Sequence, residues 1–379
     1  MRNPASSVLI VAGEASGDLH ASKLVSELAR LCGGVRVFGV GGDRMRQAGV
    51  ELLYHCDEFA VTGLTEVIVH IPRLRRAMGR LVREAKRRRA GLAILVDYPG
   101  FNLLLARRLK AAGIPVFYYI SPQVWAWGER RIRAIARDVD RMAVILPFEV
   151  PFYRERGVAV EFVGHPLLEE PELASPGTPK TLSCGAPTIG ILPGSRPNEL
   201  RRHLPSMLGA AGILHDRLPE ARFRLGLAGE TGLRELVPPE AGEFIEIAEP
   251  GSAYEIMRES TALIVSSGTA TLEAACFGTP MVIVYRMEAL SFAIGRRLVR
   301  IPDIGLVNVV ARQRLVPELV QGEATATRIA AEVVGLLDDG AAYAELSKRL
   351  VATWETLGEP GASSRAARLA ADMLGEGES

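Results

Sequence analysis

An acidic residue stands where a general base would be useful. Asp97 ends the apolar run 93–96 and precedes a Tyr-Pro-Gly sequence. A carboxylate at the end of a buried strand loses hydration worth several kcal/mol, and α/β sheets bind ligands at the carboxyl ends of their strands. Asp97 is therefore predicted to act as a catalytic base. The alternative is a cap for a helix that begins near Asn102.

Two turns in the second half are suited to hold a diphosphate. Residues 193–196 follow the apolar run 188–192, and residues 266–273 follow the run 262–265. Helix N-termini offer free N–H groups to an anion, and an arginine adds a charged hydrogen bond. Glu273, about one helical turn further on, could accept hydrogen bonds from vicinal ribose hydroxyls, although ordinary helix caps are the alternative for both turns. The predicted nucleotide contacts are Gly194, Ser195, Arg196, Ser267, Gly268, Thr269 and Glu273.

A similar turn opens the first half, with weaker specificity. Residues 13–18 read Gly-Glu-Ala-Ser-Gly-Asp after the apolar run 8–12, without the G-x-G-x-x-G spacing of dinucleotide sites. Residues 121–128 hold two of the three tryptophans, which could stack on a sugar or only close a domain. His165 could contact the cleft or form a hydrogen bond with the backbone. The candidate cleft residues are Gly13, Ser16, Asp18, His20, Trp125 and His165.

The stretch 62–89 is amphipathic and strongly basic. From Arg73 to Arg89 it contains eight Arg and one Lys against the single acid Glu84. Such a segment suits an anionic membrane surface or a phosphorylated lipid. A core helix with a solvated basic face is the alternative. The candidate membrane residues are Leu64, Val67, Ile68, Ile71, Arg73 and Arg76.

Short apolar runs alternate with longer amphipathic ones, which is typical of parallel strands buried between helices. The pattern predicts α/β architecture with two doubly wound domains that face each other across a cleft. The expected boundaries are 1–170 for the first domain, 171–187 for a linker, 188–350 for the second domain, and 351–379 for a helical segment that packs on the first domain or on a partner subunit. Predicted strands are 8–12, 35–40, 93–96, 116–120, 141–146, 161–163, 188–192, 222–227, 244–247, 262–265 and 281–284, and predicted helices include 18–31, 74–89 and 103–112.

Composition narrows the class of protein. The chain has 379 residues, 48% hydrophobic and 23% charged, with a net charge of +1 that does not point to nucleic acid. Its four cysteines share no C-x-x-C spacing, so unpaired thiols are expected, and Cys276 is expected in the core. No apolar run is long enough to span a bilayer or to form a signal segment, which predicts a cytoplasmic protein. The histidines and acids show no metal-ligand spacing, and no cofactor is predicted.

Several motifs together resemble the lipid A disaccharide synthase family, over about residues 8–321. They are residues 13–18, 97–102, 121–128, 146–149, 162–166, 192–196, 267–273, 280–282 and 317–319, in the family's order. The Trp-Ala-Trp loop and the Ser-Gly-Thr-Ala-Thr-Leu-Glu segment are the specific ones. The resemblance implies a GT-B fold of two facing Rossmann-like domains.

The resemblance also implies an inverting, metal-independent glycosyl transfer. The donor would be UDP-2,3-diacylglucosamine, the acceptor 2,3-diacylglucosamine 1-phosphate and the new linkage β-1,6. Asp97 resembles the family's base, Arg196 and Glu273 its UDP contacts, and Asn308 joins the expected donor site. Acylated substrates imply a protein peripheral on the inner face of a Gram-negative inner membrane, with a homodimer left open.

One segment departs from the family pattern. After Asn308 the family usually reads Leu-Leu-Ala-Gly-Arg-Glu, whereas this chain places Arg312 and Gln313 at the Gly and Arg positions. Whatever that family arginine contacts is in doubt unless Arg312 or Arg314 reaches the same place.

Three other function classes compete. An enzyme similar to UDP-N-acetylglucosamine 2-epimerase would share the fold, but a water-soluble substrate gives no reason for the basic amphipathic segment. A non-catalytic nucleotide-binding regulator would leave Asp97 without a role. A dinucleotide oxidoreductase lacks its G-x-G-x-x-G fingerprint.

Overall fold

The chain folds into two compact α/β units, seen in a computed structural model that describes residues 7–59, 64–126, 128, 131–194, 196–227, 235–288, 292 and 302–376. Side chains are described for all of these except residues 64–70 and 376. The first unit comprises Met1–Glu169 and Leu357–Ser379, and the second comprises Glu170–Thr356. The chain therefore crosses between the units twice.

The first unit is built on a seven-stranded parallel sheet of order β3-β2-β1-β4-β5-β6-β7. Mostly apolar runs form its inner strands, and all six residues of β1 are buried because helices cover both faces. Its strands are β1 Ser7–Ala12, β2 Arg36–Gly41, β3 Glu51–His55, β4 Ala90–Val96, β5 Val116–Tyr119, β6 Arg141–Val144 and β7 Val160–Phe162. Its helices before the crossing are α1 Ala15–Cys32, α2 Asp43–Gln47, α3 Leu64–Arg87, α4 Pro99–Ala111, α5 Ile132–Asp138 and α6 Glu149–Arg154.

The second unit repeats this plan with six parallel strands in the order β10-β9-β8-β11-β12-β13. Its strands are β8 Thr188–Leu192, β9 Arg222–Leu225, β10 Ile245–Ile247, β11 Ala262–Ser266, β12 Met281–Tyr285 and β13 Glu318–Val320. Its helices are α7 Pro197–Arg217, α8 Ala253–Glu259, α9 Thr269–Cys276, α10 Leu306–Ala311, α11 Ala326–Leu337 and α12 Gly340–Thr356.

The α/β fold class is confirmed, and each predicted strand overlaps an observed one. Two edge strands, β3 and β13, were not predicted. Edge strands bury less surface, so Glu51 and His55 can interrupt the apolar pattern of β3. Helix α3 begins earlier than the predicted 74–89 and continues through Pro72. Pro72 removes one hydrogen bond from the helix but does not end it, so the amphipathic stretch forms one helix from Leu64 to Arg87.

The stretch expected as a linker is packed onto the second unit. Gly177 N–H donates to the Cys276 carbonyl at 2.9 Å, and Lys180 N–H donates to Ser347 Oγ at 2.7 Å. Lys180 Nζ also caps the end of α8, lying 2.7 Å from the carbonyl of Arg258. Cys276 is buried as expected, and all four cysteines are free thiols.

The C-terminal helix α13, Ala362–Glu376, returns to the first unit and packs against α1. Glu169 caps its start by accepting from Ser363 N–H at 2.6 Å. The crossing lies after Thr356, beyond the expected boundary at 350, because α12 continues unbroken to that residue. Among the described residues, no helix is both long and apolar enough to span a membrane.

Candidate active site

The carboxyl edge of the first sheet places Asp97 beside the glycine turn. Ala12, the last residue of β1, pairs with Val96, the last residue of β4. The strand order reverses between β1 and β4, and ligands bind at such switch points. Gly13 and Asp97 therefore flank the predicted ligand crevice of this unit.

Asp97 lies in an uncommon backbone conformation. Its φ is 44° and that of Tyr98 is 49°, both in the left-handed region that residues with a side chain rarely adopt. The Asp97 carbonyl accepts from Tyr118 Oη at 2.6 Å and from Asn102 Nδ2 at 2.8 Å. These two buried side chains hold the turn and so fix where the Asp97 carboxyl points.

The environment of Asp97 favours proton acceptance near neutral pH. Burial, together with the nearby charge of Glu14, raises the pKa of the Asp97 carboxyl to about 6. The Tyr98 backbone N–H opposes the shift. Helix α4 begins at Pro99 with Tyr98 as its N-cap and no side-chain cap, so the capping role weighed for Asp97 is wrong.

The other residues of the first turn occupy different positions. Gly13 is required by packing, since a Cβ there would lie 2.5 Å from the Tyr98 ring. Ser16 is exposed in the first turn of α1, and His20 is half-buried one turn further along. Glu14, which was not among the predicted site residues, is the residue whose charge acts on Asp97.

The side chains of Asp18 and His165 accept hydrogen bonds from backbone N–H groups. The Asp18 carboxylate accepts from the N–H groups of Gly42 at 2.6 Å and Met45 at 3.1 Å, where it caps α2. His165 Nδ1 accepts from Leu167 N–H at 3.1 Å, and burial lowers the pKa of His165 to about 3. These bonds give both residues a structural role, and their expected contact with substrate stays a prediction.

The tryptophan loop is held by a buried acid. Trp125 Nε1 donates to Glu149 Oε1 at 3.0 Å, and Ser121 Oγ donates to the same oxygen. Leu146 N–H donates to the second oxygen at 3.1 Å. Burial raises the pKa of Glu149 to about 7. Trp125 is half-buried and packs edge-on against Phe148, whereas Trp127 lies outside the described residues.

The second sheet repeats the switch-point geometry. Leu192 of β8 pairs with Val265 of β11, which brings the two expected diphosphate turns side by side. Gly194 has a φ of 116°, and a Cβ there would lie 3.1 Å from Ser266 Oγ. Glycine is therefore needed both for the backbone conformation and for the close approach of the two turns.

The helix starts at this edge carry the expected donor residues. Arg196 is the N-cap residue of α7, with its side chain exposed and Nη1 3.3 Å from Glu199 Oε1. Thr269 is exposed as the first residue of α9, and a Cβ on Gly268 would meet nothing within 4 Å. Ser267 Oγ donates to the Ile304 carbonyl at 2.9 Å. Ser195 lies outside the described residues.

Glu273 is a mostly buried acid with a raised pKa at the edge of the second sheet. Burial raises its pKa to about 7, and the charge of Glu170 acts in the same direction. Tyr254 Oη lies 3.5 Å from Glu273 Oε1, at the limit of a hydrogen bond. The carboxyl therefore retains capacity to accept hydrogen bonds from a ligand.

Asn308 does not have that capacity. Its Nδ2 donates to Val316 O at 3.0 Å and to Glu318 Oε1 at 2.8 Å, and its Oδ1 accepts from the N–H groups of Leu315 and Val316. Glu318 in turn accepts from Ile304 and Gly305 N–H groups at the start of α10. Asn308 was expected to contact the donor and is corrected to a structural residue, because it is fully buried and its amide is saturated.

The residues after Asn308 explain part of the departure from the family pattern. Arg312 has a φ of 54°, a conformation suited to the glycine usual there. Arg314 Nε donates to Asp303 Oδ1 at 2.7 Å and is thereby engaged. Gln313 Oε1 accepts from Arg349 Nη2 at 2.7 Å, so α12 brings a guanidinium to this segment.

His203 contacts the turn 193–196, the first of the two turns expected to hold a diphosphate. This buried residue of α7 has Nδ1 2.9 Å from the Pro193 carbonyl, and its Nε2 accepts from Arg286 N–H at 3.0 Å. It therefore links the end of β8 to the end of β12. No sequence pattern indicates this role of His203, because its partners are backbone atoms of other segments of the chain.

The described residues include one trio with the geometry of possible metal ligands, formed by His55, Cys56 and Asp57. The sequence analysis found no metal-ligand spacing among the histidines and acids, and it did not single out these three adjacent residues. The His55 ring is already used locally, since Nδ1 accepts from Asp57 N–H at 3.4 Å.

Comparison with known proteins shows that the chain belongs to a protein family. A sequence model described as "Lipid-A-disaccharide synthetase" matches residues 8–373. The chain is 44% identical to the lipid-A-disaccharide synthase of Geobacter metallireducens, with 98% of each protein covered. It is 47% identical to that of Anaeromyxobacter dehalogenans, with 95% of each covered.

Three solved structures share the fold at low sequence identity. CalG4, the calicheamicin glycosyltransferase, has a TM-score of 0.61 and 19% identity, with 99% of each chain covered. A putative UDP-N-acetylglucosamine 2-epimerase from Listeria monocytogenes has a TM-score of 0.62 and 12% identity, with 99% of this chain and 98% of that chain covered. S. aureus MnaA in complex with UDP has a TM-score of 0.64 and 11% identity, with 98% of this chain and 97% of that chain covered. At these identities the similarity shows the fold alone.

Proposed function

The chain belongs to the lipid-A-disaccharide synthetase family, and on that premise we propose that it joins two acylated glucosamines. The donor is UDP-2,3-diacylglucosamine and the acceptor is 2,3-diacylglucosamine 1-phosphate. The products are UDP and a β-1,6-linked disaccharide 1-phosphate. Besides the family, one observation supports this most strongly. Asp97 is a desolvated acid held by a left-handed turn at a sheet switch point.

Asp97 serves as the base. It accepts the proton of the acceptor's 6-hydroxyl as that oxygen attacks the anomeric carbon. The bond from the anomeric carbon to UDP breaks on the opposite face, which inverts the configuration, and its electron pair leaves with UDP. A pKa of about 6 keeps the carboxyl ionised at neutral pH and more basic than an ordinary aspartate.

The second unit stabilises the leaving group. Negative charge grows on the diphosphate as the bond breaks, and the N-termini of α7 and α9 direct backbone N–H groups to where it would lie. Arg196, exposed at the N-cap of α7, adds a positive charge. Glu273 accepts hydrogen bonds from the ribose hydroxyls. These groups perform the charge stabilisation that a divalent metal performs in other transferases.

The acylated substrates require contact with a bilayer, and we propose an anionic membrane surface as the partner. In α3 the side chains of Arg73, Arg75, Arg76 and Arg80 are exposed, as is 38% of Ile71. Leu64, Val67 and Ile68 belong to the same proposed surface, but their side chains lie outside the described residues. The protein would then be peripheral on the cytoplasmic face of the inner membrane.

An epimerase acting on a free UDP-sugar is not favoured. Its fold is shared at only 12% identity, whereas the synthase relatives are 44–47% identical over nearly the whole chain. A non-catalytic regulator would give no reason for holding Asp97 in its left-handed turn.

The direct test measures UDP release with both acylated substrates dissolved in detergent. UDP should appear only when donor and acceptor are both present, together with the disaccharide 1-phosphate. UDP-N-acetylglucosamine offered alone should be neither hydrolysed nor epimerised. Release of UDP without acceptor, or formation of a 2-epimer, would contradict the proposal.

A further inference from the structure

Helix α4 carries an outward face that the folding of the first unit leaves uncovered. Leu104 is 60% exposed, the largest exposed fraction among the large hydrophobic side chains described. Arg107 and Arg108 follow it by three and four residues and are also exposed. Residues at this spacing are neighbours on a helix surface. One apolar side chain therefore lies beside two guanidinium groups.

The opposite face of α4 packs into the hydrophobic core and so stabilises the helix. Phe101, Leu105 and Leu109 are buried in the core between α4 and the sheet. The exposed residues play no part in that core. An isolated exposed leucine is ordinary, but here it is combined with an uncompensated charge.

The charge on α4 is of one sign. The helix contains Arg107, Arg108 and Lys110 and no acid. Lys110 is paired with Asp140. Within the part of the chain that the structure describes, Arg107 and Arg108 form no ion pair, and each can extend its apolar stem past Leu104 while its charge remains in water.

Helices α3 and α4 begin at the same edge of the sheet. Both connect parallel strands, so both run from the carboxyl edge toward the amino edge. Tyr98 Oη donates to the Phe59 carbonyl at 2.8 Å, and the rings of Phe59 and Phe101 meet edge-on at 5.1 Å. The residue that precedes α4 is thus tied to the chain just before α3. Leu104 lies roughly 8 Å along α4 from its first residue.

We infer that the outward face of α4, formed by Leu104, Arg107 and Arg108, docks on an anionic lipid bilayer beside α3. Leu104 enters the interface while the two guanidinium groups meet lipid phosphates. Asp97 lies two residues before the start of α4, so this docking would hold its edge of the sheet at the bilayer, where acylated substrates lie. This inference rests on the proposed function, because that function requires the bilayer.

Co-sedimentation of the full chain with vesicles of phosphatidylglycerol and phosphatidylcholine in equal parts tests the inference. One basic residue contributes about a fivefold affinity at an anionic surface, so Arg107→Gln/Arg108→Gln should bind about 25-fold more weakly at low salt. That loss should shrink as salt rises. Leu104→Ser should bind roughly tenfold more weakly at low and high salt alike, because apolar burial is not screened.

Arg368→Gln is the matched control, because this exposed arginine of α13 lies over the other face of the same sheet. It should bind within twofold of wild type. The α4 inference is overturned if the Leu104 and Arg107/Arg108 variants both bind like this control, or if the wild type ignores the vesicles.

UDP release in detergent separates this inference from the proposed function. All α4 variants should retain wild-type turnover there, since nothing places them at the reacting atoms. Loss of vesicle binding in Arg75→Gln/Arg76→Gln but not in the α4 variants would limit docking to α3 and leave the function standing. A wild type that releases no UDP in detergent would overturn the function, whatever the vesicles show.

Discussion

The carboxyl edges of the two sheets share one topology but offer opposite chemistry. At the first, a left-handed turn holds the desolvated carboxyl of Asp97. At the second, Gly194 and Gly268 open two helix starts whose N–H groups point outward. Taking a proton from the acceptor needs a carboxylate whose charge is poorly stabilised by water, whereas holding a diphosphate needs N–H donors without partners. In the proposed reaction, the same scaffold would therefore serve the proton transfer at one edge and the diphosphate at the other through different residues after the strands.

Buried acids at the two edges also differ in whether their oxygens are used. Glu149 and Glu318 each accept three hydrogen bonds from the protein. The carboxyls of Asp97 and Glu273 have fewer described partners, although the pKa of Glu149 is raised as much as theirs. A raised pKa by itself therefore does not distinguish the proposed catalytic base, Asp97, from the structural Glu149, whereas the number of hydrogen bonds that each carboxyl accepts does.

The largest effect is expected for Asp97→Asn. The amide keeps the shape but cannot take a proton, so turnover should fall by about 10²–10⁴-fold. UDP affinity, measured by calorimetry, should be nearly unchanged because the second unit is intact. Turnover within a few-fold of wild type would remove Asp97 from the chemistry.

Thermal unfolding provides the control for that variant. The folded pKa of Asp97 is raised, so its ionisation opposes folding, and wild-type stability is lost as pH rises from about 4 to about 6. Asp97→Asn lacks this penalty and should be at least as stable as wild type at pH 8. A clearly lower melting temperature there would mean that reduced turnover reflects misfolding.

Asn308→Ala should sharpen the contrast between structural and ligand-binding residues. It removes a saturated amide from the core, and the loss of unfolding free energy should be about 2–4 kcal/mol. The variant's remaining folded fraction should bind UDP as wild type does. Weakened UDP binding without loss of stability would return Asn308 to the donor site.

Arg196→Ala and Glu273→Ala should each weaken UDP binding by roughly 1–3 kcal/mol, the scale of a lost charge-assisted hydrogen bond. Isothermal calorimetry with UDP measures this directly. Arg201→Ala is the control, as another exposed arginine of α7 further from its start. Unchanged affinity in both variants would mean that the second unit does not hold the donor.

The pH dependence of kcat/KM should show an acid limb with an apparent pKa near 6. Asp97 must be ionised to act as base, so the rate should fall about tenfold per unit below that pH. The residual activity of Asp97→Asn should lack this limb. A limb that persists in the variant would assign it to another group.

The smallest effect is expected for metal removal. The proposed charge stabilisation relies on helix starts and Arg196, so EDTA should leave the rate of UDP release unchanged. Strict dependence on Mg²⁺ or Mn²⁺ would require a different account of the leaving group.

The sequence was most informative where a polar residue interrupts an apolar strand pattern. Asp97 and the two glycine turns stood out because apolar runs end directly before them, and parallel topology then brings them to sheet edges. No comparable signal marked Tyr118 or His203, because each bonds to backbone atoms of a segment far along the chain.

The sequence by itself determined the α/β class, the positions of the turns that follow the strands, and the family, because these depend on local periodicity and on motif spacing. Only the tertiary structure decided which polar residues remain available to a ligand. Asp18 and Asn308 stood in functional motifs, yet their oxygens and nitrogens are taken by α2 and by the β13 segment. A side chain's hydrogen-bonding capacity is finite, and the neighbours that use it are set by packing, which local sequence does not encode.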